Sequence, residues 1–123
     1  MKAVRIHQRG GTEVLKLEDI ETPVPQRGEV LIRVAAAGVN YADVGQRQGN
    51  YPNLAKLPLT LGSEVVGTVV ECGSGVDASL KGRKVVSLVD GGYAEFALAK
   101  AEEVIPIADG VSFAQATVIP VQG

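Results

Sequence analysis

Short runs in which apolar positions recur every second residue dominate the chain, and glycine and proline separate them. "KAVRI" (2–6) alternates and is β-branched, which predicts a strand. "LKLEDI" (15–20) alternates in the same way, after a turn at Gly10-Gly11. "ETPVPQRGE" carries two prolines and a glycine and predicts a loop. In "VLIRVAAAGV" (30–39), Val30, Ile32 and Val34 share one face, with Leu31 and Arg33 on the other. "SEVVGTVVECGSGV" predicts a further strand with Gly67 inside it, where glycine marks a bulge or a close backbone approach. "KVVSLVDGGYAEFALA" predicts a hairpin, with Asp90-Gly91-Gly92 supplying the positive φ angles of its turn. "EVIPI" (103–107) predicts a last short strand. Many short strands between Gly/Pro turns point to a mainly β fold, an antiparallel barrel or sandwich, rather than a doubly wound sheet.

Two segments break the two-residue period. In "NYADVGQRQG", Asn40 is a good N-cap, Asp43 favours the helix dipole and Gly49 suits the residue after the last turn. A two-turn helix over about 41–48 follows. Ser112 and Gln115 have capping-box spacing and predict a second short helix to about Ile119, before Pro120. A capped helix does not account for Tyr51-Pro52 or for "LPLTLGSEVVGTV" shortly after.

Composition narrows the partners. The 123 residues carry a formal net charge of −2, with 46% apolar and 21% charged residues. That balance describes a globular chain and gives no reason to expect nucleic acid or an anionic membrane. The small basic cluster "KGRK" (81–84) reads as a solvated turn. Apolar runs are interrupted and too short to span a bilayer, and no cleavable leader is visible, so a cytoplasmic protein is expected. Cys72 is the single cysteine, which rules out an intrachain disulfide.

Familiar chemistries find little support. Gly73-Ser74-Gly75 is a trace of a dinucleotide fingerprint, but "DASLKGRKVV" after it is broken by Gly82 and enters another strand. A pyrophosphate site needs a helix there, so a plain strand-to-strand turn is expected. Catalytic zinc needs three clustered ligands, whereas His7 is the only histidine and Cys72 has no second cysteine. No metal is expected, with His7 a solvated or packed side chain and Cys72 a strand-end residue. A Ser-His-Asp or Cys-His nucleophile is unsupported for the same reason.

Five segments, in order and at natural spacing, resemble the N-terminal GroES-like catalytic domain of the medium-chain dehydrogenase/reductase superfamily. They are "MKAVRIHQRGGTEVLKLED", "GEVLIRVAAAGVNYADVGQRQGNYP", "LPLTLGSEVVGTVVECGSGV", "GGYAEFALA" and "IPVQG". The resemblance is strongest to the zinc-free quinone oxidoreductases of zeta-crystallin type. It implies a mainly β fold, a GroES-like β-barrel with one or two short helices. Zinc alcohol dehydrogenases of the superfamily carry a cysteine where Asn40 stands and a histidine where Ser63 stands. The cysteine-rich lobe of those enzymes has no counterpart between Lys84-Val85 and Gly91. The family's Gly-Asp-Arg-Val turn is Gly82-Arg83-Lys84-Val85 here, a departure expected to touch a surface loop only.

The resemblance further implies that Asn40 and Asp43 help hold the nicotinamide ribose, with Tyr51 projecting beside the nicotinamide as the catalytic tyrosine. Residues 1–123 would form one GroES-like domain, ending before the Rossmann domain that binds NADPH and carries the dimer contact. The whole enzyme is then expected to be a homodimer that transfers a hydride to a quinone or conjugated carbonyl, and the isolated chain is expected to be inactive. Two alternatives stand beside this: a 2-enoyl thioester reductase, in which Tyr51 donates or positions the proton, and a non-catalytic GroES-like binding module.

Overall fold

The computed structural model of the 123-residue chain describes residues 1–38, 41–49 and 56–107. Its elements in chain order are β1 (Lys2–Ile6), β2 (Lys16–Asp19), β3 (Glu29–Ala37), α1 (Tyr41–Gln48), β4 (Leu59–Thr60), β5 (Glu64–Cys72), β6 (Lys84–Leu88), β7 (Phe96–Lys100) and β8 (Ile105–Pro106). Single 3₁₀ turns lie at Thr12–Val14, Ala78–Leu80 and Ala101–Glu103. The fold is mainly β, as expected. Among the described residues the strands form two open antiparallel sheets rather than one closed barrel. One sheet has the order β2-β1-β4, the other β7-β3-β5-β6-β8.

The predicted strands over 2–6, 15–20 and 30–39 are β1, β2 and β3. The helix over 41–48 is α1, and Gly49 after it has φ +84°. The second predicted helix, after Ser112, lies outside the described residues. Residues 103–107 are strand only at Ile105–Pro106, because Ala101–Glu103 takes a 3₁₀ turn.

β5 explains why its sequence is apolar without clean alternation. As the middle strand it is covered on both faces. Val65 and Val69 pack with Val30, Ile32, Val85 and Ala97, while Val66 packs with Val86, Ala36 and Ile107 on the other side. Each fully buried valine or isoleucine contributes roughly 2 kcal/mol. The β3–β5 pairing slips between Leu31 and Ile32 and again between Val34 and Ala36. Gly67 faces Val34 at the second slip, and a Cβ there would run into the Arg33 carbonyl and lie 2.8 Å from Ile32 Cγ2. The glycine inside β5 thus marks a close backbone approach beside a bulge.

The expected hairpin from Lys84 to Ala99 does not form. β6 already pairs with β5 on one side and β8 on the other, so β7 has no edge to join there and pairs with β3 instead. Gly91 does have a positive φ of +84°. The segment from Gly91 to Glu95 crosses between the sheets. Tyr93 O accepts from Val4 N at 2.7 Å, Glu95 N donates to Lys2 O at 3.0 Å, and Val34 N donates to Glu95 O at 2.9 Å. This crossing ties the three-stranded sheet to the five-stranded one.

The remaining sequence expectations resolve locally. After Gly73-Ser74-Gly75 the chain makes only a 3₁₀ turn, capped by the Asp77 side chain accepting from Ser79 N at 2.9 Å. That bond to the Ser79 amide holds the Asp77 carboxyl below its ordinary pKa. His7 is exposed and pairs with Glu18 at 2.7 Å, Cys72 ends β5, and Lys81 to Lys84 are exposed.

Candidate functional site

Three pieces of chain meet beside α1: the β4–β5 connection (Leu61 to Ser63), the crossing segment (Gly91 to Tyr93) and the helix itself. Gly62 makes the meeting possible. Its φ is +108°, and its carbonyl accepts from both Gly91 N (3.1 Å) and Gly92 N (2.9 Å). Tyr93 N donates to Leu61 O at 2.8 Å, so two stretches distant in sequence run side by side. Ile6, Val14 and Leu61 form a small core beneath them, with Leu59 and the Tyr93 ring packed against it.

α1 is locked from its other end. Arg9 Nε donates to Gln46 O at 3.0 Å, and Gly10 N donates to Arg47 O at 2.9 Å. A guanidinium and an amide thus satisfy carbonyls of the last turn, where the helix dipole favours positive charge.

The result is a cleft of about 400 Å³. Asp43 and Gln46 of α1 form one wall, and Thr60, Ser63 and Asp90 bring polar groups to the others. Leu59, Leu61 and Val89 supply its apolar surface. Asp43 also borders a second, more apolar hollow of about 220 Å³ behind the helix, which Tyr93, Leu15 and Val44 line. Asp43 therefore stands in the partition between the two spaces, 7% exposed.

Tyr93 reaches that partition from behind. Its hydroxyl lies 3.3 Å from Asp43 Oδ2 and 3.3 Å from Gly38 O. Its single proton serves one of these acceptors at a time. Burial first, then the Asp43 charge and the hydrogen bond to it, push the Tyr93 phenol up to about 12. Gly38 is itself crowded. Its N–H donates to Glu64 O at 3.1 Å, and any Cβ would run into the carboxylate of Glu64, which is 2% exposed. Two buried carboxylates and a phenol are thus gathered around one glycine at the end of β3.

Of the residues expected from sequence, Asp43 stands in the cleft wall and Ser63 lies on the same cleft. Asn40 and Tyr51 lie outside the described residues. Among the described residues no three His, Cys, Asp or Glu side chains come together to hold a metal, and no helix is long and apolar enough to cross a membrane. Sequence reasoning missed Tyr93. It stood in a predicted hairpin, where a tyrosine is ordinary strand filling, yet an aromatic directly after Gly91-Gly92 was a usable signal of close packing.

Residues 26–109 match the family described as the alcohol dehydrogenase GroES-like domain. The chain is 45% identical to mouse quinone oxidoreductase over 118 residues, which is 94% of this chain and 36% of that protein. The structure of a mycobacterial protein complexed with NADPH superposes with a TM-score of 0.91 at 39% identity, over 98% of this chain and 38% of that one. The enoyl reductase CurK superposes with a TM-score of 0.87 at 26% identity, over 98% of this chain and 39% of that one. The chain therefore spans well under half the length of these relatives. With its antiparallel sheets and single described helix it belongs to the alcohol dehydrogenase GroES-like domain family, within the medium-chain dehydrogenase/reductase superfamily, and is similar to that superfamily's quinone oxidoreductases.

Proposed function

We propose that residues 1–123 form the substrate-side domain of an NADPH-dependent oxidoreductase that reduces a quinone or conjugated carbonyl. The observation that carries this is the 45% identity to a quinone oxidoreductase across nearly the whole chain. The donor set of the cleft supports it. Hydroxyls of a ribose need acceptors, which Asp43 offers, and a flat carboxamide-bearing ring suits a half-apolar wall of Leu59, Leu61 and Val89 with glycine beside it. Among the described residues the cleft's charged lining residues, Asp43 and Asp90, are both acidic, which disfavours a pyrophosphate beside them. The cleft thus fits the nicotinamide riboside end of the cofactor, and the phosphates belong to a second, dinucleotide-binding domain.

When bound, the nicotinamide supplies the hydride; this chain orients it and shapes the space for the acceptor. Asp43 and Asn40 would hold the ribose, and Tyr51 would stand beside the acceptor. No zinc is expected, since Asn40 and Ser63 occupy the two positions where the zinc enzymes place ligands. The chain alone binds NADPH weakly and does not turn over, and the whole enzyme is a homodimer in the cytoplasm.

The likeness to CurK favours a second reading, reduction of a 2-enoyl thioester. Changing Tyr51→Phe in the chain joined to a dinucleotide-binding domain separates the two. An enoyl thioester needs a positioned proton donor, so losing the hydroxyl costs on the order of 10²–10⁴ in rate. A reduced quinone takes protons from water, so the loss is no more than about tenfold, near 1.4 kcal/mol of orientation. No NADPH-dependent reduction of either substrate by the joined protein would refute both enzyme readings and leave a binding module.

A further inference from the structure

We propose that Tyr93 is a positioning residue for Asp43: from behind α1, its hydroxyl fixes the carboxylate that the cleft presents to the cofactor. This rests on the reading of Asp43 as a cofactor residue. Tyr93 lines the rear hollow and not the cleft, while Asp43 lines both, so the contact at 3.3 Å crosses the partition. The tyrosine can act as a fixed point because its main chain is tied down on both sides: Tyr93 N donates to Leu61 O, and Tyr93 O accepts from Val4 N. Its ring is wedged against the small core of Ile6, Val14 and Leu61. The same hydroxyl is 3.3 Å from Gly38 O, so it references the helix to the end of β3 as well as to the crossing segment. The last turn of this eight-residue helix is already tied to Arg9 and Gly10, and the Tyr93 hydroxyl adds a tie in its first turn, at Asp43. A phenol held this way selects one orientation of Asp43 before any ligand arrives, which lowers the ordering cost of binding.

The test is a double-mutant cycle in the chain joined to its dinucleotide-binding domain, with NADPH as the probe. Tyr93→Phe keeps the ring in the small core and removes only the hydroxyl. It should weaken NADPH binding about tenfold and change kcat by no more than about twofold. In an Asp43→Asn background the same change should cost less than about twofold more, because the two residues act through one contact. Full additivity would overturn the proposal, as would an unchanged NADPH affinity in Tyr93→Phe when Asp43→Asn alone weakens it. If Asp43→Asn leaves NADPH affinity intact, the reading of Asp43 itself fails, a different result from failure of the coupling.

A second measurement does not depend on activity. On the 123-residue chain, phenolate absorbance assigned to Tyr93 by its loss in Tyr93→Phe should titrate at lower pH in Asp43→Asn than in the parent. An identical midpoint would show that hydroxyl and carboxylate do not meet, and would overturn the proposal.

Discussion

Replacing Gly62 by alanine should be among the most damaging single-methyl changes the chain can suffer, and two other glycines provide the control. Gly62 has φ +108°, Gly28 +79° and Gly82 +87°. All three sit where an L-residue is strained, and that alone costs about 1–2 kcal/mol. Their surroundings differ. A Cβ at Gly28 or Gly82 meets nothing within 4 Å, whereas at Gly62 it would lie 2.6 Å from Tyr93 N and 2.8 Å from Gly92 N. Two of the three nearest atoms are main chain, the third being Tyr93 Cδ1 at 2.8 Å, so relief requires the crossing segment to move away. That movement strains three hydrogen bonds: those of Gly91 N and Gly92 N to Gly62 O, and that of Tyr93 N to Leu61 O. At about 1 kcal/mol for each bond weakened, Gly62→Ala should lose roughly 4–5 kcal/mol in all, against about 1–2 for Gly28→Ala or Gly82→Ala. For a domain of this size that is a melting-point drop of about 10–20 °C against about 4–8 °C. Circular dichroism melts and urea titrations of the three variants measure this. If Gly62→Ala melts within a few degrees of Gly28→Ala, the contact with the crossing segment is not the constraint, and the account of how the cleft is assembled is wrong.

Other consequences can be checked on the same chain. Tyr93 has a folded-state pKa of about 12, above the ordinary tyrosine value near 10, so the folded state holds more protons between those values. Stability from the neutral phenol is complete below pH 10 and is lost as pH rises through 12. Urea midpoints at pH 9 and 11 should therefore fall more for the parent than for Tyr93→Phe; equal falls would refute the burial of the phenol. Arg9→Ala removes the donor to Gln46 O and should cost about 1 kcal/mol, read as a melting point about 4 °C lower, with the loss of helix signal preceding the main transition. Elemental analysis of the purified chain should find no stoichiometric zinc, because the family resemblance implies that Ser63 replaces a histidine ligand of the zinc enzymes; one zinc per chain would contradict that assignment.

How far the fold could be read in advance depended on the range of the forces involved. β1, β3 and α1 were legible within a residue or so because alternation and capping are local. β5 was legible as a strand, and its interior glycine as a close approach, because Gly67 has no other use in an apolar run. The partner of β7 was not legible. Asp90-Gly91-Gly92 is locally a good hairpin turn, and the preference was overridden by occupancy, since β8 takes the edge of β6 that a hairpin would need. Nothing between Lys84 and Ala99 records that competition; it is settled by Ile105 and Pro106, some residues further on.

The candidate site shows the same division more sharply. Asp43 could be placed in the first turn of a short helix from its spacing to Asn40, and the family resemblance then singled it out as a site residue. What holds it could not, because Tyr93 lies fifty residues away and reaches it only through the crossing segment. The two errors are one: reading Gly91-Gly92 as a hairpin turn hid both the true pairing of β7 and the purpose of the tyrosine that follows. Once the segment crosses between sheets, its glycines admit the backbone of Gly62, and its tyrosine arrives behind α1. The cleft is then a consequence of strand order, since a hairpin at this position would have left Asp43 without its hydroxyl and the three-stranded sheet without its tie to the five-stranded one.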